Sequence, residues 1–392
     1  MRWIPRRKSS RRRDGAQTKA EPNMNEAASA PSVVLAEPHV IVRREGAVTR
    51  VTLNRPRALN ALTKQMVIDV REALEAAHSD GSGAVLLDGA GDRGFCGGGD
   101  IKAMTAGGGA GALEFLREEY RTDHAIRVAR LPVVGIMDGV TMGGGIGLTG
   151  HASVRVVTER SRLAMPETRI GIVPDVGGSL LLAGAPGRLG DLLASVSGSM
   201  TAGDAIALGF ADYFVPSSRL DELYRRLREG EDPGRAAAEV AEEPPAAPLL
   251  AAREWFDGIA DAALGSAEQT LADPLTAARR LAAALAAAGT SEARALAAEL
   301  HRVNPTAVVV ALAQLARVRS LRLELADVLA DDFRVLGRLT ARADFAEGVR
   351  AQLIDKDGKP AWSPATLETV DAAEIARILD PKLATGETEL AL

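Results

Sequence analysis

Two glycine-rich loops carry the first residues of this sequence that can do chemistry. They are Phe95–Asp100 (FCGGGD) and Gly143–Gly147 (GGGIG), and each follows an apolar run typical of a buried strand. Consecutive glycines let backbone N–H groups approach a ligand closely, and a helix N-terminus adds unpaired donors. Two such loops can direct two N–H groups at one carbonyl oxygen, as in an oxyanion hole. Either loop alone is better explained by tight turns and close helix packing, whereas the pair favours function.

A third stretch, residues 165–178 (MPETRIGIVPDVGG), carries two carboxylates in turns rich in proline and glycine. Glu167 follows Pro166, and Asp175 lies eight residues further along, beyond an apolar segment. Carboxylates between apolar walls tend to have raised pKa values, which suits general acid–base catalysis. A helix-capping or arginine-paired surface role for Glu167 is equally consistent with the sequence. The candidate partners are Arg155, Arg160, Arg162 and Arg169.

An α/β core is predicted to position these loops. Two β-rich runs around Glu45-Gly46, within residues 39–53, predict a hairpin. The spacing of apolar residues predicts a helix over 63–77, and residues 110–130 are also predicted to be helical. Short apolar runs at 84–88, 131–137 and 153–158 predict buried strands. This alternation of strands and helices, with strands ending in glycine-rich loops, indicates an α/β layered fold.

The first 36 residues form a basic tail that we expect to be disordered. Residues 1–20 contain eight lysines and arginines and one acid, so the rest of the chain carries −12 although the whole chain carries −5. A transit peptide or a nucleic-acid-binding arm is the alternative interpretation, and Met24 is a candidate start of the protein.

Three further segments follow the tail. Residues 37–228 contain the predicted α/β core. Residues 229–248 are acidic, rich in alanine and proline and aperiodic, which predicts a linker. Residues 249–392 are predicted to be mainly helical, and Asn304-Pro305 is a typical helix start, with an asparagine cap and a proline in the first turn.

The composition argues against several classes of protein. Aromatic residues make up only 3% of the 392 residues, which argues against a base-stacking nucleic-acid binder. The single cysteine, Cys96, excludes a disulfide framework and any Cys-based metal site, and it is expected to be a small buried thiol in a reducing, cytoplasmic environment. The five histidines lack the spacing of metal ligands, so no metal is predicted. No apolar run is long enough to predict a membrane span.

Several of these stretches resemble the crotonase (enoyl-CoA hydratase/isomerase) superfamily, and most closely its 3-hydroxyisobutyryl-CoA hydrolase branch. The resemblance covers about residues 38–370. In the first half it rests on NRPRALNAL (54–62), FCGGGDI (95–101), FLREEY (115–120), TMGGGIGL (141–148) and AMPETRIGIVPDVGG (164–178). In the second half it rests on NPT (304–306), DFAEGVRAQLIDKD (344–357) and KPAW (359–362). The late motifs are the most discriminating, because simple hydratases of the superfamily end earlier.

The resemblance implies an α/β fold, a crotonase-like spiral of ββα units with a helical C-terminal region. It also implies an acyl-CoA substrate whose thioester oxygen lies between the backbone amides of Gly97 and Gly144. Hydratases of this superfamily carry a second catalytic glutamate three residues after the second oxyanion glycine. This chain has Gly147 there, which argues against a hydratase, because hydration needs two carboxylates on one water.

The acids of the hydrolase branch are present at the matching positions. The resemblance assigns catalysis to Glu167 and Asp175, and substrate binding to Glu119, Gly144, Glu167 and Asp175. Hydrolysis of 3-hydroxyisobutyryl-CoA or a close short 3-hydroxyacyl-CoA, in valine breakdown, is the function it implies. An enoyl-CoA isomerase or hydratase and a non-catalytic CoA-binding protein are the alternatives.

Coenzyme A is expected along the loop 55–61, where the backbone and Arg57 can contact adenine and phosphates. The predicted CoA-binding residues are Arg55, Arg57, Ala58 and Leu59. Because coenzyme A is part of the substrate, no separate cofactor is predicted. Related cores often trimerise, so a homo-oligomer is one expectation, although the long C-terminal part could cover the same surface.

Overall fold

The computed structural model describes residues 37–106 and 108–392, and the predicted basic tail lies outside them. The described strands are β1 (Val40–Glu45), β2 (Val48–Leu53), β3 (Ala84–Gly89), β4 (Val133–Met137), β5 (Val140–Met142), β6 (Val154–Val157), β7 (Arg162–Ala164), β8 (Ser199–Met200) and β9 (Tyr213–Phe214). They form a six-stranded sheet of order β1-β2-β3-β4-β6-β9 and a three-stranded sheet of order β5-β7-β8. In the larger sheet β1 and β2 are antiparallel and every other pair is parallel. The predicted hairpin and the three predicted strands are confirmed.

Nine helices of the described residues accompany these strands. They are α1 (Lys64–Ala77), α2 (Ile101–Ala106), α3 (Gly108–Arg127), α4 (Gly144–Gly150), α5 (Gly178–Gly184), α6 (Leu189–Val196), α7 (Ala202–Ala207), α8 (Leu220–Arg228) and α9 (Pro233–Val240). Helix α1 begins at the predicted place because the Thr63 hydroxyl accepts a hydrogen bond from the Met66 N–H, at 3.2 Å. Its apolar face, which includes Val70 and Leu74, is buried.

The second half of the chain is helical, as predicted. Its described helices are α10 (Pro248–Ala251), α11 (Arg253–Leu264), α12 (Ala267–Ala272), α13 (Pro274–Ala287), α14 (Ser291–Leu300), α15 (Pro305–Leu321), α16 (Leu325–Thr340), α17 (Ala343–Val349) and α18 (Ala372–Leu379). The predicted start of α15 is confirmed, since the Asn304 side chain accepts from the Ala307 N–H at 2.9 Å. Helix α15 is buried along most of its length and packs against α5, α6 and α12.

Residues 38–392 form one compact unit. Its larger apolar cluster joins one face of the six-stranded sheet to α1, α3, α15 and α16, so the C-terminal helices share a core with the first half. Helix α16 packs directly on α3, the helix that carries the predicted acid Glu119. None of the described helices has the length and apolarity needed to cross a bilayer.

The predicted linker, residues 229–248, is not aperiodic throughout, so this part of the prediction is wrong. Helix α9 lies inside it, capped by Asp232, whose side chain accepts from the Arg235 N–H at 3.0 Å. Ala236, Ala237 and Val240 of α9 are fully buried in a second apolar cluster on the other face of the sheet. The sequence did not predict this helix, because its buried face is made mainly of alanines. In an alanine-rich segment these residues produce little hydrophobic periodicity.

Candidate active site

An open cleft lies between the two glycine loops, α3 and the segment after β7. It brings together five predicted site residues, which are Gly97, Glu119, Gly144, Glu167 and Asp175. Apolar side chains that include Ile101, Met104, Phe115 and Ile172 form the remaining walls. The cleft therefore combines carboxyls, exposed backbone and apolar surface, as expected for a small-molecule site.

The two glycine loops lie side by side because they pair like parallel strands. Cys96 pairs with Thr141: the Cys96 N–H donates to the Val140 oxygen at 3.2 Å, and the Met142 N–H donates to the Cys96 oxygen at 3.0 Å. Beyond this pair, an ideal Cβ on Gly98 would lie 3.6 Å from the Gly144 nitrogen. The backbone after Cys96 and the backbone after Thr141 therefore lie close together at one end of the cleft.

The amide of Gly97 is already hydrogen-bonded, whereas the predicted oxyanion role needs it free. Its N–H donates to the carbonyl oxygen of Leu59 at 2.8 Å, because Leu59 adopts a left-handed conformation with φ of 52°. The Gly98 N–H donates to the Cys96 sulfur at 3.3 Å. Among the described residues, the N–H groups of Gly99, Gly144 and Gly145 have no protein acceptor. Of these three glycines, Gly99 and Gly144 line the cleft, whereas the N–H of Gly97 is already occupied.

Glu167 begins a short 3-10 turn, Glu167–Ile170, that ends at Gly171. Its side chain is buried, its Oε1 atom would lie 2.9 Å from a Cβ on Gly143, and its Oε2 atom has no partner among the described residues. Burial, together with the nearby Asp175 carboxylate, raises the pKa of Glu167 well above its usual range. In its carboxylate form, Glu167 is therefore a stronger base than an ordinary glutamate.

The alternative of an arginine-paired surface role for Glu167 is wrong. All four candidate arginines have other acceptors, which are Asp212 for Arg155, Asp138 for Arg160, the Ser161 oxygen for Arg162 and Glu299 for Arg169. Glu167 itself makes no ion pair among the residues that the structure describes.

Asp175 lies in a tight turn directly before two residues with positive φ, Val176 and Gly177. The Tyr120 hydroxyl donates a hydrogen bond to its Oδ2 atom at 2.6 Å. Burial raises the pKa of Asp175 to about 6, and the bond from Tyr120 offsets part of this rise. Asp175 therefore changes charge close to neutral pH, which suits a group that exchanges protons.

Glu119 projects from α3 onto the second glycine loop. A Cβ atom on Gly144 would overlap its Oε1 atom, so the close approach of this carboxyl requires glycine at position 144. That oxygen is buried without a partner among the described residues. Burial and the neighbouring acids Asp123, Asp175 and Glu167 raise the pKa of Glu119 well above its usual range.

Three buried residues of this region were not predicted, namely Tyr120, Asp123 and Asp332. Asp332 of α16 accepts from the Gly177 N–H at 3.1 Å and from the Gln314 side chain at 3.0 Å, so it supports the turn after Asp175. The spacing of four residues between Glu119 and Asp123 was the available signal, because it places both carboxyls on one helix face. No local pattern distinguishes Asp332, which comes from a distant helix.

The predicted CoA-binding residues lie on the loop next to the first glycine loop. The Arg55 guanidinium pairs with Asp100 at 3.1 Å, and Asp100 also caps α2 through the Ala103 N–H. Arg57 and Ala58 are exposed, and Leu59 contacts Gly97. Arg57 makes no ion pair with any described residue, so its charge remains available to an anionic group.

Cys96 is the small buried thiol that the sequence predicts. It is fully buried, and burial raises its pKa to about 12, so the reactive thiolate is absent at neutral pH. In the described residues, no group of three or more histidine, cysteine or acidic side chains is arranged to hold a metal ion.

Comparison with known proteins shows the family of the chain. A family model described as enoyl-CoA hydratase/isomerase matches residues 48–379. The chain is 36% identical to "3-hydroxyisobutyryl-CoA hydrolase, mitochondrial" of Danio rerio over 339 residues, and 34% identical to the protein of the same name from Gallus gallus over 340 residues. Each match covers 84% of this chain and 86% of the relative.

Solved structures with the same fold include proteins named for other reactions of CoA thioesters. A carnitinyl-CoA dehydratase from Mycobacterium thermoresistibile matches with a TM-score of 0.80 and 39% identity, covering 90% of this chain and 100% of that one. An enoyl-CoA hydratase from Rhodobacter sphaeroides matches with a TM-score of 0.79 and 36% identity, covering 91% of this chain and 100% of that one. The crotonase-like fold predicted from the motifs is confirmed, and the chain belongs to the enoyl-CoA hydratase/isomerase family.

Proposed function

We propose that the chain hydrolyses the thioester of 3-hydroxyisobutyryl-CoA, or of a close short 3-hydroxyacyl-CoA, to the free acid and CoA. The observation that carries this proposal is one cleft in which buried Glu167 and Asp175 accompany the unpaired amides of Gly99 and Gly144. The names of the curated relatives support the same substrate. Valine degradation is the pathway that the resemblance implies.

The thioester oxygen accepts hydrogen bonds from the N–H groups of Gly99 and Gly144. These donors stabilise the negative charge that develops on the oxygen as the carbonyl carbon becomes tetrahedral. Loss of one such donor typically costs about 3–4 kcal/mol of transition-state stabilisation. The two loops hold both donors in place before the substrate arrives, because their backbones are paired at Cys96 and Thr141.

Glu167 performs the chemical step by one of two routes. As a general base it removes a proton from water, whose oxygen attacks the thioester carbon, and the C–S bond then breaks. As a nucleophile its carboxylate attacks the same carbon and expels the CoA thiolate, and water then opens the resulting anhydride. In both routes CoA leaves with the electron pair of the C–S bond and is protonated. Asp175 orients Glu167 or carries the proton.

Glu119 and Asp175 bind the hydroxyl of the acyl chain. Glu119 holds a buried carboxyl oxygen without a partner, which a substrate hydroxyl satisfies. A site built to bond a hydroxyl rejects analogues that lack it, because the buried polar groups then stay unpaired. This role predicts a preference for 3-hydroxyacyl groups over simple acyl groups.

Enoyl-CoA hydration is the second candidate function, since the two solved relatives carry the names of a dehydratase and a hydratase. Gly147 supplies no carboxylate, and Asp123, which occupies the space beside it, is not among the residues that line the cleft. This arrangement favours hydrolysis. An isomerase would use Glu167 alone, and a non-catalytic CoA-binding protein would need no acids in the cleft.

Release of free thiol from 3-hydroxyisobutyryl-CoA, followed with a thiol-reactive dye such as DTNB, tests the proposal. The protein adds little background, because its single cysteine is fully buried. Hydration or isomerisation would instead change the absorbance of the conjugated double bond of an enoyl-CoA without releasing thiol. No thiol release from any short 3-hydroxyacyl-CoA would refute the hydrolase. Label that appears in Glu167 after a single turnover in ¹⁸O-labelled water would exclude the pure general-base route.

The remaining expectations stay predictions. A cytoplasmic location has no support from the curated relatives, which are named as mitochondrial. The homo-oligomer, the absence of a separate cofactor and the contact of coenzyme A with Arg55, Arg57, Ala58 and Leu59 also await experiment.

A further inference from the structure

Asp123 is a buried carboxyl of α3 that the proposed mechanism does not use. Its side chain is fully buried, and among the described residues neither carboxyl oxygen has a hydrogen-bond partner. It lies one helical turn after Glu119, so both carboxyls lie on the same face of α3. Unlike Glu119, Asp123 is not among the residues that line the cleft. Its environment is therefore protein on all sides.

The space for Asp123 exists because position 147 is glycine. A Cβ atom on Gly147 would lie 2.8 Å from both carboxyl oxygens of Asp123 and 2.8 Å from the Cβ of Val176. These distances are too short for ordinary contact, so a larger side chain at 147 and the Asp123 carboxyl exclude each other. Val176 directly follows Asp175 and has a φ of 52°. Asp123 thus packs between the second glycine loop and the turn that carries Asp175.

No cation among the described residues faces Asp123 from the elements packed around it. The titratable groups there are Asp175 of the turn, Asp332 of α16, and Glu119 and Tyr120 of α3. His151 of the segment after α4 is neutral, because burial lowers the pKa of its imidazole to about 4. Arg71 of α1 is paired with Glu118 at 2.6 Å.

These carboxyls cannot all be charged. An unpaired charge is costly to bury, and each charged carboxyl raises the pKa of its neighbours. Asp175 and Asp332 each accept at least one hydrogen bond that stabilises the charged form. Asp123 accepts none from the described residues. Asp123, enclosed and without such a bond, therefore keeps its proton to higher pH than Asp175 does.

We propose that Asp123 is a positioning residue that acts as a neutral, protonated carboxyl, filling the space beside Gly147 without adding charge next to Asp175. The inference rests on the proposed hydrolase function. When Asp123 loses its proton at alkaline pH, its charge raises the proton affinity of Asp175 and Glu119 and repels both carboxylates. Thiol release is then expected to decrease.

The test compares wild type with Asp123→Asn, which keeps the shape of the neutral acid but cannot ionise. Glu114→Gln is the matched control, because Glu114 is an acid of the same helix whose side chain is 68% exposed. Thiol release is measured from about pH 5 to pH 10, across the range in which a buried acid titrates. Asp123→Asn is expected to stay within about 10-fold of wild type at neutral pH, since it removes no acid–base group. It is expected to retain activity on the alkaline limb, where wild type and the control lose it.

Thermal unfolding provides a readout that is independent of catalysis. Burial, Asp175 and Asp332 raise the pKa of Asp123 well above its ordinary value. The stability of wild type therefore decreases as the pH rises from the ordinary value through the folded-state value. Asp123→Asn lacks this loss, so its Tm relative to wild type is expected to increase with pH. The Tm of Glu114→Gln is expected to show no such increase.

A larger loss of activity at neutral pH in folded Asp123→Asn would overturn the proposal, because Asp123 would then act as an anion. Superimposable pH profiles with a constant Tm difference would also overturn it. If the variant does not fold, the test uses wild type with ¹³C-labelled aspartate carboxyls. An infrared band of protonated carboxyl must persist above the pH at which Asp175 ionises. The absence of this band refutes the neutral acid. If wild type releases no thiol but the Tm difference still grows with pH, the hydrolase fails and the neutral Asp123 stands.

Discussion

The Tyr120 hydroxyl donates to the Asp175 carboxylate at 2.6 Å, and both groups are buried. The Tyr120 ring lies edge-on to Phe333 of α16, with ring centroids 6.4 Å apart. The Arg117 guanidinium covers the same Phe333 ring at 4.6 Å. The position of Asp175 is thus tied to the C-terminal helices as well as to its own turn.

Tyr120→Phe removes this hydrogen bond and is expected to move the acid limb of the rate profile. The bond lowers the pKa of Asp175, so its loss raises that pKa and a higher pH is needed to ionise the carboxyl. A hydrogen bond to a charged group contributes about 1.5–3 kcal/mol, so kcat/KM should fall by roughly 10- to 100-fold below neutral pH. An unchanged pH profile in the folded variant would contradict the role of Tyr120.

Glu167→Gln is expected to reduce thiol release by roughly 10²- to 10⁴-fold, the usual effect of removing an acid–base group. The same change should stabilise the fold at alkaline pH. Because the folded-state pKa of Glu167 is raised, wild-type stability falls as pH rises above the ordinary glutamate value, and glutamine removes this loss. Urea unfolding should show a gain in the free energy of unfolding at pH 8 that disappears near pH 4. A destabilised variant at pH 8 would contradict the assigned direction of the pKa.

Gly144→Ala tests the contact between the second glycine loop and Glu119. The new Cβ would overlap Glu119 Oε1 and displace the loop, so activity should fall by about 100-fold or more through loss of a donor. The control is Gly258→Ala in α11, an exposed glycine whose Cβ would meet no atom within 4 Å. That control should keep full activity and gain about 0.5–1 kcal/mol of stability. Equal activity of the two variants would argue against the oxyanion role of Gly144.

Arg57→Ala tests the predicted contact with coenzyme A. An exposed ion pair contributes about 0.2–1 kcal/mol, so KM for the acyl-CoA should rise by roughly 1.5- to 5-fold while kcat and Tm stay the same. The difference should shrink as salt is added, because exposed charges are screened. Arg130→Ala is the control, since Arg130 is also exposed but is not predicted to contact coenzyme A. A similar rise in KM for Arg130→Ala would mean that no specific contact exists.

Arg319→Met tests a buried ion pair that joins α15 to α6. The Arg319 guanidinium donates to both carboxyl oxygens of Asp191, at 3.0 and 2.9 Å, and the Asp191 side chain is 3% exposed. Breaking a buried pair leaves an uncompensated charge and costs about 3–5 kcal/mol, with the lower end expected because Arg188 remains 3.9 Å away. Urea unfolding measures the loss, and adding Asp191→Asn should recover part of it. Full additivity of the two changes would show that the charges do not interact.

Several site residues could be predicted from the sequence because local chemistry determines their turns. Proline before Glu167 and glycines after Asp175 set the backbone of two carboxylate-bearing turns, and both side chains line the cleft. Gly144 follows the same logic, since it begins a helix after a short strand and keeps its N–H free. The start of α15 at Asn304 depends on its own cap and proline, which need no distant partner.

The remaining features depend on residues that are far apart in the chain. Gly97 and Gly99 are indistinguishable in a run of three glycines, and only the carbonyl of Leu59 decides which amide is occupied. Helix α9 was not predicted, because its alanines are recognisable as core residues only once they pack against the sheet.

By itself, the sequence determined the family, the strand and helix pattern and the acids of the cleft, since these follow from local spacing and short motifs. The tertiary structure alone decided which amides are free, that Tyr120 bonds to Asp175, and that Asp123 occupies the space beside Gly147. The physical reason is that hydrogen bonds, close packing and mutual charge repulsion act between atoms brought together by folding, and no local pattern records those distances.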